Sequence, residues 1–382
     1  MLRDDAIAFV RRIRDAANHH DVPRLMDFYA DDAVARSPVF TEVRGRAAIA
    51  ATWEKVFSTF PDCWLDASEV LVDGDRIAVL GTLHATDRLG WFGLPPTGDA
   101  FSYRVMLLLT ISAGRIVHEE RVYDSAGVVA RLEKALLDKE LTTAAEVQQA
   151  LLPRTAYDGG YCEAIGGSVP CKAIGGDFFE FAELPSGNLG VALGDVAGKG
   201  LPAALLAAML QGMVAAEAAV GDGPAETLSR MNRRMAGRHL DARFATLVYG
   251  VLAPDGRFVY TNAGHNAPAL LAREGIHRLT TGGPILGAFA DAAFEEETLH
   301  LKELETLVMF TDGVTEARNV ENEEYGEDRL ISCVSSYSEC STRALLEGVF
   351  GAVREFCGKA NQTDDITVTV TRFLDGRRAP SK

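Results

Sequence analysis

The chain has 382 residues, of which 47% are hydrophobic and 24% are charged, as in an ordinary globular protein. Its formal net charge of −16 argues against nucleic acid as the main partner, because binding a phosphate backbone needs clustered Lys and Arg. None of its six cysteines forms a Cys-x-x-Cys pair, which disfavours a zinc site and fits reduced thiols in a cytosolic protein.

The N-terminal residues open directly into an amphipathic pattern and lack the apolar core and cleavage site of a signal peptide. The strongest apolar run, residues 105–111, is far too short to span a bilayer. We therefore expect a cytoplasmic protein that binds neither nucleic acid nor a membrane.

Residues 1–125 are predicted to form one α+β domain. Apolar residues at helical spacing predict three helices before residue 61, and Asp21 before Val22-Pro23 marks the start of the second. This order predicts a curved antiparallel sheet that folds over the helices as an open cone with a cavity inside. The predicted strands are residues 65–72, 76–86, 101–112 and 115–123.

This order of elements resembles the SnoaL-like branch of the nuclear-transport-factor-2-like superfamily. The resemblance also rests on residues 28–34, Phe-Tyr-Ala-Asp-Asp-Ala-Val, a type of sequence that commonly ends the second helix in that superfamily. Members of this superfamily are enzymes, ligand sensors or dimerisation modules, so the resemblance implies a sensory or regulatory domain. Candidate polar residues of the cavity, for which an ordinary surface or sheet role stays open, are His84, Asp87, Tyr103, Arg104 and His118.

Residues 126–151 are predicted to form a helical linker. Val129, Leu132 and Leu136 follow 3-4 spacing, and Leu137 and Leu141 continue on a slightly rotated stripe. The pattern fits a short parallel coiled coil, and it equally fits a plain amphipathic helix packed on one of the domains.

Residues 152–375 are predicted to form a second domain, with residues 376–382 as a flexible tail. Strands predominate and helices come in pairs between them, which predicts a sheet-on-sheet core flanked by helices, an α-β-β-α sandwich. The strands are expected at residues 189–194, 245–252, 257–262, 307–310 and 366–371, and the helices at residues 201–220, 225–239 and 343–357.

Aspartates recur at the ends of these strands. Asp177 lies in Gly-Gly-Asp-Phe-Phe, Asp195 in Gly-Asp-Val-Ala-Gly-Lys-Gly, Asp312 in Thr-Asp-Gly-Val-Thr-Glu, and Asp364 and Asp365 precede Ile-Thr. Carboxylates that meet there would be costly to desolvate and would repel one another. Mg²⁺ and Mn²⁺ favour carboxylate oxygens, so the pattern predicts a two-metal centre that hydrolyses a phosphate ester.

Residues 148–373 resemble the metal-dependent protein phosphatases, the PPM family, in the bacterial branch typified by the stage II sporulation protein E phosphatase. Six blocks occur in the order of that family, and the ordered set is far more specific than any one block. The blocks are residues 149–153, 175–179, 194–200, 262–266, 311–316 and 364–367.

The resemblance implies a role for each aspartate. Asp195 would bridge two divalent cations, manganese or magnesium, and the carbonyl of Val196 would add a ligand to one of them. Asp312 and Asp364 would complete the second cation site, and Asp177 would hold a water molecule of the metals. Asp365 remains an alternative ligand to Asp364, although the family pattern favours the first of the pair.

Two further segments are candidates with weaker support. Gly198, Lys199 and Gly200 allow a tight turn into a helix whose N-terminus favours an anion, so they are candidates for binding the substrate phosphate. Plain turn chemistry and a solvated lysine are the alternatives. His265 follows a strand and is either structural or a support for the metal ligands.

The resemblance implies a cytosolic serine/threonine phosphatase that acts on a phosphorylated anti-sigma-factor antagonist. The N-terminal domain would sense a small molecule or a protein and control the phosphatase domain, within a homodimer. Two alternatives remain open: a phosphatase-like binding module with impaired chemistry, and an N-terminal domain with its own activity on a small molecule.

Overall fold

A computed structural model of the chain describes residues 2–153, 156–221, 223–237 and 244–375. The chain divides into two compact units, Met1–Glu140 and Leu141–Lys382. The division falls inside one long helix, so the domain boundaries predicted at residues 125 and 151 stay predictions. The predicted tail, residues 376–382, lies outside the described residues.

The first unit places helices on one six-stranded sheet with the order β2-β1-β6-β5-β4-β3. Its elements are α1 (Arg3–Asn18), α2 (Val22–Met26), β1 (Tyr29–Arg36), β2 (Val43–Arg44), α3 (Arg46–Thr59), β3 (Trp64–Asp73), β4 (Arg76–Thr86), β5 (Ala100–Ser112) and β6 (Arg115–Val122). The buried face of α1 follows the predicted helical spacing, and Asp21 caps α2 by accepting a hydrogen bond from the backbone N–H of Arg24.

Two details of this unit differ from the prediction. Residues 29–34 belong to strand β1, because α2 ends at Met26 and the side chains of Ala33 and Ala35 are then buried at a spacing of two. The sheet is also not purely antiparallel. β1 pairs with β6 in parallel, since α3 and the intervening strands separate them in the chain.

Helix α4, Ser125–Leu151, contains the predicted linker and is unbroken over 27 residues. Its buried residues, Val128 and Leu132, lie in its first two turns. Leu137, Val147 and Leu151 are at least half exposed.

The second unit consists of two six-stranded sheets with helices outside them, so the predicted α-β-β-α sandwich is confirmed. The strands are β7 (Tyr157–Asp158), β8 (Cys162–Val169), β9 (Phe178–Glu183), β10 (Leu189–Val196), β11 (Ala245–Leu252), β12 (Arg257–Ala263), β13 (Ala269–Ala272), β14 (Gly275–Arg278), β15 (Gly282–Gly283), β16 (Glu297–His300), β17 (Thr306–Phe310) and β18 (Ile366–Phe373). The helices are α5 (Leu201–Ala218), α6 (Pro224–Ala236), α7 (Asp312–Thr315), α8 (Gly326–Ser336) and α9 (Thr342–Cys357).

One sheet has the order β15-β12-β11-β10-β9, with β16 also on β12, and carries α5 and α6. The other has the order β14-β13-β17-β18-β8-β7 and carries α9. One cluster of buried side chains joins the facing sides of both sheets. A second cluster lies between the sheet that contains β17 and β18 and the helices α8 and α9. The sandwich thus sets β10 between β9 and β11 in one sheet and β17 and β18 in the middle of the other.

All eight residues of β18 are buried, although its sequence alternates apolar and hydroxyl side chains. Val368 and Val370 pack in the cluster that contains the α9 side chains. The threonines at alternate positions therefore face the opposite sheet, and Thr367 is the one nearest the acidic residues.

Among the described residues, one helix, α5, is long and apolar enough to cross a membrane by length and composition alone. Half of that segment is buried within the unit. Leu206, Leu210 and Val214 belong to its core cluster, and α5 contacts β9 and β10. The helix therefore serves as a covering layer of the sandwich.

Candidate metal centre

The predicted acidic residues lie at neighbouring strand ends of the two sheets. Asp177 immediately precedes β9, and Asp195 is the penultimate residue of β10. Asp312 is the first residue of α7, directly after β17, and Asp364 and Asp365 directly precede β18. Because β9 pairs with β10 and β17 pairs with β18, the fold gathers residues that are almost two hundred positions apart.

Asp177 is buried and joins the two halves of the site. Its Oδ2 atom accepts hydrogen bonds from Thr311 Oγ1 at 2.8 Å and from Thr367 Oγ1 at 2.6 Å. Burial, and then the neighbouring Asp195 carboxylate, raises the pKa of Asp177 well above its ordinary value. The two threonines hold this carboxyl group in one orientation, which suits a group that positions a water molecule.

The carboxylates raise one another's pKa values. Burial, followed by the charge of Asp312, raises the pKa of Asp195 to about 6. Burial, followed by the charge of Asp364, raises the pKa of Asp312. Such a cluster is unfavourable when ionised, and it is stabilised by cations that prefer oxygen ligands. The donor set therefore fits divalent cations such as Mn²⁺ and Mg²⁺.

Asp364 and Asp365 have different surroundings. Both oxygens of the buried Asp365 accept backbone hydrogen bonds, Oδ1 from Cys171 N–H and Oδ2 from Gly176 N–H, each at 2.7 Å. Asp364 is partly exposed, and its Oδ2 lies 2.8 Å from the Lys199 ammonium. The geometry favours Asp364 as the ligand and gives Asp365 the task of anchoring the loop before Asp177.

Cys171 is a neighbour of the site that the sequence reasoning did not single out. One potential ligand atom each from Cys171, Asp364 and Asp365 lies within 4.8 Å of the others. Burial, and then the Asp365 charge, raises the pKa of the Cys171 thiol, which favours its poorly ligating protonated form. Both Asp365 oxygens are also engaged by backbone N–H groups, which disfavours this trio as a complete cation site.

Matched variants can distinguish the roles of Asp364 and Asp365. We expect Asp364→Asn to raise the Mn²⁺ concentration for half-maximal activity at least about tenfold and to leave metal-free stability nearly unchanged. Asp365→Asn replaces one carboxylate oxygen, which accepts from a backbone N–H, with an amide donor, so it should lower the unfolding free energy by about 1–3 kcal/mol. Denaturant unfolding without metal and Mn²⁺ titrations of activity measure both effects. The reverse pattern would make Asp365 the ligand.

The backbone at Val196 lies close to the Gly-Gly-Asp loop because Gly176 has no side chain. Val196 N–H donates to the carbonyl of Gly176 at 3.3 Å. A Cβ atom on Gly176 would lie 2.9 Å from the Val196 carbonyl oxygen, closer than such atoms normally approach. The Gly-Gly-Asp loop therefore lies against the end of β10, with the Val196 carbonyl beside it. Its role as a metal ligand stays a prediction.

The glycines around Lys199 have left-handed backbone angles, φ 104° at Gly198 and φ 79° at Gly200, which other residues rarely adopt. Lys199 is partly exposed and forms an ion pair with Asp364, and this bond raises the pKa of the lysine. Lys199 thus contacts the acidic cluster, which differs from the alternative that it is a solvated loop lysine without a partner. Phosphate binding by these three residues stays a prediction.

His265 is buried behind the Asp195 strand. Its Nδ1 lies 2.7 Å from Thr246 Oγ1, and Thr246 is the residue directly opposite Asp195 in the β10–β11 pair. Asn262 accepts from the His265 backbone N–H at 2.7 Å and donates to its carbonyl at 3.0 Å. Burial lowers the pKa of His265 to about 4, so the ring is neutral at pH 7. This supports a positioning role for the imidazole.

Gln148, in the last turn of α4, was not predicted to belong to the site. Its Nε2 donates to the Gly175 carbonyl at 2.7 Å, and its Oε1 accepts from the Gly175 N–H at 3.1 Å. The residue two positions later is Asp177. A glutamine in an Ala- and Leu-rich helix resembles any surface residue, and its position immediately before the Gln-Ala-Leu-Leu-Pro block was the available signal.

The first unit contains the predicted cavity, and Tyr103 lines it. The other predicted cavity residues lie elsewhere. His84 stacks on the exposed Trp64 at 4.2 Å, and Arg104 is exposed. Asp87 is buried in a loop, where its carboxylate accepts hydrogen bonds from the backbone N–H groups of Gly90 and Thr97.

His118 does not line this cavity, and a β-bulge in β6 accounts for its position. Thr110 pairs with His118 but its neighbour Ile111 pairs with Ile116, so Val117 is an extra residue in β6. A bulge moves all later side chains to the opposite face. Glu119 and Arg121 therefore point inward, and a strict alternation from Ile116 could not have found them.

Comparison with known families agrees with this architecture. Residues 185–374 match the family described as "Stage II sporulation protein E (SpoIIE)", and the match contains Asp195, Asp312 and Asp364. Residues 10–119 match the family described as "SnoaL-like domain".

Two curated relatives each match more than half of this chain. Protein IcfG of Synechocystis sp. is 28% identical over 235 residues, which cover 54% of this chain and 37% of that protein. Phosphoserine phosphatase RsbU of Bacillus subtilis is 28% identical over 240 residues, which cover 62% of this chain and 70% of that protein. The chain thus spans little more than a third of the first relative.

A solved structure supports the fold of the second unit. The SiaA-PP2C domain of Pseudomonas aeruginosa superposes with a TM-score of 0.56 at 21% identity, covering 63% of this chain and 98% of that domain. At this identity the likeness concerns the fold alone. The two family matches show that residues 185–374 form a domain of the stage II sporulation protein E family of metal-dependent protein phosphatases and that residues 10–119 form a SnoaL-like domain.

Proposed function

We propose that the chain is a cytoplasmic protein phosphatase that removes phosphate from a phosphoserine or phosphothreonine of a regulatory protein. The observation that carries the proposal is the group of Asp177, Asp195 and Asp312, whose pKa values are all raised at the meeting point of the two sheets. Two divalent cations, manganese or magnesium, are the expected cofactors.

Each aspartate has a task in the proposed chemistry. Asp195, Asp312 and Asp364 would hold the cations, which supply Lewis-acid activation of water and neutralise charge on the phosphate. Asp177, fixed by Thr311 and Thr367, would accept a hydrogen bond from the attacking water and orient it towards phosphorus. A cysteine or serine nucleophile is not needed.

The proposed substrate is a phosphorylated protein of the anti-sigma-factor antagonist type. Support comes from the similarity to the phosphoserine phosphatase RsbU and from the resemblance to the sigma-regulatory branch. The test is capture with the inactive Asp312→Ala variant, followed by mapping of the phosphorylated residue in the retained protein. Recovery of only unphosphorylated proteins, with no Mn²⁺-dependent release of phosphate by the unmodified chain, would contradict the proposal.

An impaired binding module is the weaker alternative, because the sequence contains every aspartate that the resemblance assigns to the metals. Asp177 and Asp365 are also firmly held by hydrogen bonds, Asp177 from two threonines and Asp365 from two backbone N–H groups. A module without chemistry would not need to retain this arrangement of mutually repelling carboxylates.

We propose that the N-terminal domain controls the phosphatase through α4. The helix begins directly after β6 and ends with the turn that contains Gln148. Its exposed side chains Leu137, Val147 and Leu151 lie on one stripe at heptad-like spacing, which supports pairing with a second copy in a homodimer.

Deletion of residues 1–125 should therefore change the turnover number or the Mn²⁺ requirement by at least about threefold without abolishing hydrolysis. The acidic ligands all lie in the second unit, and their positions do not depend on the deleted residues. Steady-state kinetics on the same phosphoprotein, with light scattering to record the oligomeric state, measures the effect. Identical kinetics with and without the segment would refute control by this domain.

A further inference from the structure

Exposed hydrophobic side chains border the acidic cluster of the second unit. Leu201 and Leu205, in the first two turns of α5, are 46% and 64% exposed, and Phe244, directly before β11, is 41% exposed. We call these three residues the apolar rim. None of them is among the predicted cation ligands, so their exposure at this place needs another explanation.

The two leucines follow the turn that contacts the acidic cluster. Lys199 pairs with Asp364 at 2.8 Å, and Leu201 is two residues further along the chain. The Cα atoms of Lys199 and Leu201 are therefore at most about 8 Å apart. Leu205 lies about 6 Å further along the helix axis and on the same helix face as Leu201. Both leucines thus flank the Asp364 side of the cluster.

Phe244 flanks the Asp195 side of the cluster. Its carbonyl accepts a hydrogen bond from the Ala197 N–H at 3.0 Å, which extends the pairing of β10 with β11 by one residue pair. Opposite residues of an antiparallel pair share a face of the sheet, and successive residues alternate between faces. Phe244 therefore lies on the face that carries Asp195 and Thr246, one step nearer the end of the sheet.

Helix α6 provides a comparison for the exposed face of α5. It packs beside α5 on the same sheet, and its exposed side chains Glu226, Arg233 and Arg234 are charged, as is usual for a solvated helix face. Single apolar residues are common on protein surfaces. On α5, however, leucines occupy the outward positions of the first two turns, at the end of the helix that adjoins the acidic cluster.

A phosphoprotein bound at this centre would have to cover the apolar rim. When its phosphate reaches the cations, the residues on either side of the phosphoserine lie over the strand ends and the first turns of α5. An extended chain advances about 3.3 Å per residue, so side chains two or three positions away lie roughly 7–10 Å from the phosphoserine. Apolar side chains there would remove the rim from water, whereas polar ones would lose water without gaining a partner.

Charge offers a substrate less at this surface. Lys199, the cation next to the rim in the chain, is already paired with Asp364. Burial, and then the charge of Asp312, raises the pKa of Glu316, so this glutamate adds to the acidic surroundings. An acidic segment beside the phosphoserine would meet further carboxylates, which leaves apolar contact as the favourable interaction.

We propose that the apolar rim is a docking surface for a phosphoprotein segment that carries large apolar residues two or three positions from its phosphoserine. Leu201, Leu205 and Phe244 determine which phosphoserines are accepted, and the aspartates and their cations perform the chemistry. The inference rests on the function proposed above and narrows its substrate class.

Two phosphoserine peptides test this preference. One carries Leu and the other Asn at the second and third positions on both sides of the phosphoserine, so the peptides have equal charge and similar side-chain size. Fluorescence anisotropy with the full-length Asp312→Ala chain and Mn²⁺ compares their affinities without turnover. Phosphate release by the unmodified chain compares their kcat/KM. We expect the Leu peptide to be preferred at least about tenfold in both measurements.

Variants of α5 assign the preference to the rim. Leu205→Gln keeps side-chain length and helix propensity but removes an apolar contact, so it should reduce the preference at least about threefold. The double variant Leu201→Gln/Leu205→Gln should nearly abolish it. Val220→Gln is the matched control, because Val220 is 62% exposed just beyond the other end of α5, and it should keep the preference in full.

Absence of saturable binding, equal affinities for the two peptides, or equal loss of preference in Leu205→Gln and Val220→Gln would overturn the docking surface. Conversion of a dimer to a monomer by Leu205→Gln, with the preference unchanged, would assign the rim to a second copy of the chain and also overturn it. Failure of the unmodified chain to release phosphate from either peptide or from p-nitrophenyl phosphate with Mn²⁺ would contradict the phosphatase proposal. The anisotropy titrations would still decide whether the rim prefers the Leu peptide.

Discussion

Replacement of Asp195 by asparagine is expected to lower Mn²⁺-dependent hydrolysis of a phosphoserine protein by about 10³-fold or more. The side chain is the centre of the acidic cluster, since the charges of Asp312, Asp364 and Asp365 all raise its pKa. A neutral amide there removes a carboxylate from the cation-binding set and with it the charge neutralisation on which hydrolysis depends. Initial rates of phosphate release at saturating Mn²⁺ provide the measurement.

The same variant should be more stable than the unmodified chain when no metal is present. The pKa of Asp195 is about 6 in the folded protein, against an ordinary value near 3.9. The folded state therefore binds more protons than the unfolded state between these values, and the unfolding free energy falls as pH rises through this range. The loss is on the order of 2–3 kcal/mol above pH 6, and Asp195→Asn should remove most of it.

The exposed Asp291 offers a matched control, because Asp291→Asn changes charge by the same amount outside the cluster. It should leave both the rate and the pH dependence of unfolding unchanged. An Asp195→Asn protein that hydrolyses substrate at the original rate would place the activity at another site or in a contaminant. Manganese should stabilise the unmodified chain and the control, but not Asp195→Asn.

The acidic ligands could be proposed from the sequence because each occupies a short block whose residue types are dictated by its surroundings. Gly176 must lack a side chain beside Val196, and Gly313 must lack one beside the Asp365 backbone. Apolar runs of the right length also predicted the central strands and α5. These patterns involve residues close together in the chain, so they can be recognised in a single sequence.

What the sequence did not reveal depends on long-range register. The extra residue Val117 turns Glu119 and Arg121 inward, and nothing in the composition of β6 marks it. Asp364 and Asp365 are chemically identical neighbours, and only the backbone N–H groups of Cys171 and Gly176 separate their tasks. Gln148 is polar and lies on a long helix, so its partner Gly175 could not be inferred from spacing.

Gln148→Leu should have the second largest effect, because it removes both hydrogen bonds that tie α4 to Gly175. Net contributions of about 0.5–1.5 kcal/mol per bond imply roughly a tenfold change in the population of the ordered loop. Gly176, the next residue, donates to Asp365, and Asp177 follows it, so a loosened loop displaces the Asp177 carboxyl group, for which we propose the role of positioning water. We expect the half-saturating Mn²⁺ concentration to rise about tenfold and the turnover number to fall.

Gln149→Leu is the matched control, since Gln149 is the next residue of the same helix and is exposed. It introduces the same apolar side chain without removing a contact to the loop, and its kinetics should equal those of the unmodified chain. Equal impairment in both variants would mean that added hydrophobicity on α4, and not the loss of the Gly175 contacts, causes the effect. Loss only in Gln148→Leu would identify the end of α4 as a support of the metal centre.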